Sequence, residues 1–137
     1  MSVDTKRKDW IGYCAGLYEG EGTVGCYSNT LKAGTKNGLS RYGKQRYRKK
    51  DLDQTKISLR IGMTDLTPLE LFRDTMDSGS IRGPYSYRDK KLIYVYSVRK
   101  FEDVQYIIAV LWPYLSERRR QQYTDGVKKF FNKVRTV

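Results

Sequence analysis

The segment Ala15-Gly16-Leu17-Tyr18-Glu19-Gly20-Glu21-Gly22 constrains the fold more than any other stretch of this 137-residue chain. On its N-terminal side, Trp10, Tyr13, Cys14 and Leu17 recur at i, i+3, i+4 and i+7. That spacing predicts a helix over residues 9–18, with Asp9, Thr5 or Asp4 as its N-cap. On the C-terminal side, Thr23-Val24-Gly25-Cys26-Tyr27 begins a β-like run to about Thr30. A helix must therefore hand over to a strand with almost no loop, and two carboxylates, Glu19 and Glu21, fall at the handover. Gly12 and Gly16 lie one turn apart in this helix. Each costs roughly 1 kcal/mol against Ala in a helix interior, a cost that close approach of another backbone would offset.

The rest of the chain is basic. Lys and Arg number 27 against 15 Asp and Glu, a net charge of +12, and such a field favours DNA, RNA or an anionic membrane surface. Acid concentrated at one point of a basic chain suggests a metal held against nucleic-acid phosphate. No apolar run approaches the ~20 residues of a transmembrane helix, and Met1–Lys8 has no apolar core like that of a secretory signal. The sequence contains no histidine, which excludes His-ligated zinc, Ser-His-Asp triads and His-metal nucleases. Cys14 and Cys26, the only cysteines, have no metal-ligand spacing and read as free thiols. They fit a protein that stays in a reducing intracellular compartment, cytoplasm or organelle matrix.

Further along, residues 31–50 lack an apolar period and carry Lys32, Lys36, Arg41, Lys44, Arg46, Arg48, Lys49 and Lys50 with no acid. So long a stretch is expected to be structureless and functional. Residues 55–62 alternate, with Ile57, Leu59 and Ile61 to one side and Lys56, Ser58 and Arg60 to the other: a half-exposed strand with a basic outer face. Thr67-Pro68-Leu69-Glu70 matches a capping box, and Leu69, Phe72 and Met76 continue it as a helix. Ser80–Tyr85 and Leu92–Arg99 read as a hairpin around Arg88-Asp89-Lys90. Phe101, Val104, Ile108 and Leu111 mark a helix stopped near Pro113; Tyr123, Val127, Phe130 and Val134 mark a last one, interrupted and kinked at Asp125-Gly126. The order α-β-β-α-β-β-α-α predicts one α+β domain over residues 1–137, a four-stranded sheet antiparallel within its hairpins and helices on one face.

These residues resemble a known family. The segment Ala15–Gly22, with Cys14 at the first Leu position, is similar to the signature of the LAGLIDADG homing endonucleases. The αββαββα order with its saddle-shaped sheet, Asp65 after the second core strand, and Pro113-Tyr114-Leu115 followed by Arg118 extend the likeness over about residues 9–130. The resemblance implies a site-specific double-strand DNA endonuclease that hydrolyses phosphodiester bonds in a long, near-palindromic target, serving intron or mobile-element homing. Members carry one motif and form homodimers, or carry two in one chain; this chain carries one. A homodimer paired through its first helices would use Gly12, Ala15 and Gly16 as small interface residues, with Glu19 supporting the interface or the helix ends. It would also bring two copies of Glu21 together.

Within that resemblance, Glu21 and the carbonyl of Gly20 would hold Mg²⁺, with Mn²⁺ able to substitute. Asp65 takes the place of a polar active-site residue, and Arg118 that of the basic residue stabilising the transition state. The family signature has Asp at both acidic positions where this chain has Glu, and Lys is more familiar where Arg118 stands. Arg stays protonated and cannot serve as a general base, and Arg119 and Arg120 are immediate neighbours. For DNA, a sheet can enter the major groove, where base pairs are distinguishable. Counting from Glu21, Gly25, Tyr27 and Asn29 point outward on the first strand, Lys56, Ser58 and Arg60 on the second, and Arg82 on the third. Arg60 or Arg82 suits guanine and Asn29 suits adenine, whereas Lys32, Arg46, Arg48 and their neighbours suit phosphate. Two other readings compete. One is a non-cleaving relative of the same fold that binds DNA or intron RNA, as a maturase does. The other is an unrelated, monomeric, metal-independent RNA-binding α/β domain.

Overall fold

The computed structural model describes residues 3–87 and 91–135. The first helix, α1, runs Val3–Glu21, so the expected caps Asp4, Thr5 and Asp9 lie inside it. Its first two turns are polar, and the apolar spacing could not reveal them. Strand β1 (Gly22–Leu31) follows without an intervening residue. It pairs antiparallel with β4 (Leu52–Met63) in unbroken register from Gly22↔Ile61 to Leu31↔Leu52. Beside β4 lies β6 (Lys91–Val98), with Leu59 opposite Val98 and Ile61 opposite Tyr96; β5 (Ser80–Tyr87) forms the edge. Paired residues share a face and neighbours alternate. Val24, Leu59 and Val98 therefore line the same inner side as Ile61, Tyr96 and Ile81.

Helices cover that inner face. Cys14, Ala15 and Tyr18 of α1, Leu69, Phe72 and Met76 of α2 (Leu66–Met76), and Val104, Ile107, Ile108 and Leu111 of α3 (Phe101–Leu111) are buried with the inward strand residues in one core. The helix α4 (Glu117–Arg135) lies along β1 and β4, with Tyr123, Val127 and Phe130 partly buried. It runs unbroken through Asp125-Gly126, contrary to the expected interruption. Gly126 is buried where the helix passes β1, and a Cβ there would lie 3.8 Å from the Gly25 Cα.

Three other expectations are corrected. Helix α2 starts two residues early: Asp65 is its N-cap, with its carboxylate accepting the Thr67 N–H at 3.1 Å, so Thr67 falls in the first turn and does not cap. The stretch expected to be structureless contains a small antiparallel pair, β2 (Lys36–Leu39) and β3 (Gln45–Tyr47), separate from the main sheet. Polar bonds hold it: the Ser40 hydroxyl accepts the N–H groups of Tyr42 and Lys44, and the Gln45 side-chain amide donates to the Gly38 carbonyl at 2.9 Å. Lacking a buried face, it leaves no alternation in the sequence. Finally, Trp10 and Tyr13, read as part of the apolar stripe of α1, are more than 40% exposed. The tip Arg88-Asp89-Lys90 lies outside the described residues. Both cysteines are free thiols, as expected.

Candidate nucleic-acid interface and acidic centre

Glu19 and Glu21 end α1 two residues apart, which on a helix turns them to different sides. Glu19 is engaged within the chain. Its carboxylate accepts the Ser116 N–H at 2.6 Å and the Ser116 hydroxyl at 2.9 Å, while that hydroxyl accepts the Arg119 N–H as the N-cap of α4. The Ser116 N–H holds its carboxyl below the usual carboxylate range against the opposing effect of burial; the Ser116 hydroxyl, Arg119 and Arg118 add to this. Glu19 therefore ties the end of α1 to the start of α4. Ala15 is likewise turned into the core, 3% exposed.

Arg119 reinforces this junction. Only 7% exposed, it donates from Nε to the Glu19 carbonyl at 3.1 Å and from Nη1 to the Gln122 side chain at 3.1 Å, and lies 5.7 Å from the centre of the Tyr18 ring. Gln122 in turn donates to the Thr23 hydroxyl at 3.3 Å. The turn carrying Gly20-Glu21-Gly22 is thus gripped on both sides, at Glu19 and at Thr23, by one face of α4. Burial pushes the Tyr18 phenol up to about 12, and its hydroxyl has no hydrogen-bond partner among the described residues. Arg120 donates twice to the Trp112 carbonyl, at 3.1 and 2.8 Å. Of the three successive arginines, Arg118 alone remains exposed, 3.9 Å from the Glu19 carboxylate.

Glu21 contrasts with Glu19: it is exposed and no described residue bonds or pairs with its carboxylate. Gly12, Gly16 and Gly20 are exposed at successive turns of α1, and a Cβ on any of them would meet nothing within 4 Å. The close backbone approach that would justify these glycines does not occur among the described residues. No group of three potential metal ligands exists among the described residues. One carboxylate and a neighbouring carbonyl suit a hard cation as partial ligands and cannot complete a site alone. Asp65, expected to be catalytic, spends its carboxylate as the α2 cap; it follows β4 at the end of the sheet where Glu21 meets β1.

The outer face of the sheet has no helix over it. The registers Gly25↔Ser58, Tyr27↔Lys56, Asn29↔Gln54, Arg60↔Ser97 and Arg82↔Val95 place Tyr27, Asn29, Lys56, Arg60 and Arg82 there, all exposed, as the alternation predicts. Ser58 points the same way but is 4% exposed, a correction caused by the longer side chains around it. In the insertion, Lys32 lies 3.7 Å from Asp51, Arg46 is exposed, and Arg48 is half-buried with an unpartnered Nε. Tyr42 and Tyr47 stand out from it, with the Arg41 guanidinium 5.9 Å from the Tyr42 ring centre. Sequence reasoning missed Arg99, just beyond β6 on this outer side, because the apolar β6 showed no parity. It also missed Arg119 and Gln122, whose partners are about 100 residues away in sequence.

No protein-family model and no curated protein matches this sequence. Solved structures do match its fold. The homing endonuclease I-CvuI in complex with its target aligns with a TM-score of 0.58 at 18% identity, over 94% of this chain and 72% of that one. The homing endonuclease I-TnaI aligns at 0.59 and 16% identity, over 92% and 74%. The LAGLIDADG homing endonuclease I-LtrWI, bound to target DNA, aligns at 0.58 and 22% identity, over 89% of this chain but only 36% of its own length. The chain therefore spans about three quarters of the first two proteins and about a third of the third. Its α+β architecture, with four antiparallel strands under helices on one face and an acid-ended first helix entering the first strand, is the LAGLIDADG homing-endonuclease fold.

Proposed function

We propose that two copies of this chain form a divalent-metal-dependent, site-specific endonuclease of double-stranded DNA, acting on a long, near-palindromic target in the manner of intron or mobile-element homing. The observation that carries the proposal is Glu21, without a partner among the described residues, at the end of a helix whose glycine face none of them covers. A partner helix on Gly12, Gly16 and Gly20 would explain those residues, and its two-fold axis would bring a second Glu21 to the first. Trp10 and Tyr13, exposed on the same helix, add apolar area for such a contact. Relatives of this fold have been solved on DNA, and the bare, basic outer face of the sheet is the surface suited to it.

A phosphodiester is a poor electrophile surrounded by negative charge, and a bound Mg²⁺ or Mn²⁺ supplies Lewis-acid polarisation and charge neutralisation. The chain's own residues do the rest. Glu21 and the Gly20 carbonyl would hold the cation. The Glu19–Ser116–Arg119 junction keeps the Glu21 turn in place. Arg118, the exposed arginine of the three, offsets phosphate charge as water adds to phosphorus and the P–O ester bond breaks. Permanently protonated, Arg118 takes no proton from that water; the proton passes through solvent, and the leaving oxygen takes one up.

The test is cleavage of a library of near-palindromic duplexes with Mg²⁺, by the wild type and by Glu21→Gln. Double-strand cuts at one enriched site, lost in the variant, are expected. Salt-sensitive DNA binding without cuts would replace the nuclease with a DNA-binding relative of the same fold. Preference for structured intron RNA would point to a maturase-like role, in which the Glu21→Gln change has no effect.

A further inference from the structure

On the outer face of the sheet, a cleft of ≈ 300 Å³ is lined by Tyr27, Asn29, Lys56, Ser58, Arg60 and Arg99. Its chemistry is one-sided: three cations and no carboxylate. None of Lys56, Arg60 and Arg99 has an acidic partner within ion-pair distance among the described residues. Within the cleft, Ser58 is 4% exposed and its hydroxyl has no hydrogen-bond partner among the described residues, so it adds a polar atom to the floor.

The walls are specifically arranged. Gly25 stands opposite Ser58, and the Tyr27 side chain folds back over it: a Cβ on Gly25 would lie 3.3 Å from the Tyr27 hydroxyl. The Arg60 guanidinium rests 5.4 Å from the centre of that ring. A stacked guanidinium has its plane fixed in advance, so less freedom is lost when its fork engages two acceptors. Phosphate binding along a groove needs no such orientation, because charge alone suffices. A planar pair of acceptors does need it, and the major-groove edge of guanine, with N7 and O6, is such a pair.

We propose that this cleft is a guanine-reading site, in which Arg60, held on Tyr27, takes the N7 and O6 edge, with Ser58 at its floor and Lys56 and Arg99 at the rim. This rests on the DNA-binding part of the proposed function and adds to it one preferred base. It also separates Arg60 from Arg82, the other arginine suited to guanine, which lines a different recess beside Ser80, Ser97 and Asp103.

The test is selection of bound sequences from a randomised duplex library, with Ca²⁺ in place of Mg²⁺, by the wild type, Arg60→Lys, Tyr27→Leu and Ser58→Ala. The wild type is expected to require G at one position of each half-site. Arg60→Lys keeps the charge and loses the fork, and should relax that position about tenfold or more while leaving the others unchanged. Tyr27→Leu should relax the same position, and Ser58→Ala should relax it less. An Arg60→Lys profile identical to wild type overturns the proposal. So does a uniform loss at every position with a smaller salt dependence, which would make the cleft a phosphate site. A wild type that binds duplexes with no sequence preference overturns the site-specific reading and this inference together. A wild type that selects a site without G at the position relaxed by Tyr27→Leu overturns this inference alone.

Discussion

The two sides of α1 follow opposite rules. The inward side presents Cys14, Ala15 and Tyr18 to a closed core and ends on Glu19, whose carboxylate meets the Ser116 backbone and hydroxyl at the start of α4 and Arg118 and Arg119 in its first turn. The outward side presents Gly12, Gly16 and Gly20 to no described residue and ends on Glu21, exposed and without a partner among the described residues. One helix thus carries a side engaged within the chain and a side without contacts among the described residues. Each uncovered helix glycine forgoes roughly 1 kcal/mol against Ala.

The contrast breaks most sharply at the acids. Glu21→Gln should reduce cleavage by on the order of 10²-fold or more, the scale associated with losing one electrostatic group at a reacting centre. Because no described residue bonds to Glu21, urea unfolding should change by less than about 0.5 kcal/mol. A large loss of stability would mean that Glu21 is structural after all. At Ala15→Leu the order reverses. The residue is 3% exposed, and extra methylenes in a packed core cost about 1–3 kcal/mol. The outward glycines sharpen the comparison further. Gly16→Ala should stabilise an isolated monomer by up to about 1 kcal/mol, yet weaken self-association in sedimentation equilibrium if helices meet there. Stabilisation with unchanged association would show that the glycine face has no partner.

How much of this was legible follows from where each signal lies. The inward strand residues Ile57, Leu59 and Ile61 and the helix residues Leu69, Phe72 and Met76 announce themselves because burial imposes a period on neighbours. The outer-face set was readable for the same reason, since whatever alternates with a buried residue is exposed. Burial also misled: Trp10 and Tyr13 look like core, and only packing shows that α1 uses the small Ala15 inward and leaves two aromatics outside. Ser58 was misread because parity gives direction but not depth. The β2–β3 pair was invisible because side-chain-to-backbone bonds of Ser40 and Gln45 hold it and leave no apolar pattern. Asp65 takes its expected active-site place from the family resemblance alone, and its capping bond to the Thr67 N–H depends on backbone geometry that local sequence does not show. Long-range partners such as Arg119 with Glu19, or Gln122 with Thr23, cannot be read from local sequence at all.

The smallest effect should come from Glu19, and pH exposes it. Its carboxyl titrates below the usual range in the folded chain, chiefly because the Ser116 N–H favours the ionised form. An unfolded Glu titrates near about 4.3. With the folded value lower, the unfolded chain binds more protons in this range, so stability rises with pH there. The contribution is therefore present above the unfolded value and lost as pH falls through the folded one. Glu19→Gln should cost about 1 kcal/mol at pH 7, the scale of one lost charge-assisted cap. It should cost less at a second, acidic pH, because the wild-type carboxyl takes up its own proton as pH falls through the folded value. Ser116→Ala should cost about as much, and the two changes together less than their sum, because each removes the same contact. Urea titrations of the four proteins at both pH values measure this directly. An equal loss from Glu19→Gln at both pH values would mean that packing of the side chain, rather than its charge, joins α1 to α4. Additive losses would mean that Glu19 and Ser116 act on the junction separately, leaving Arg119 as the residue that closes the inward side of the helix.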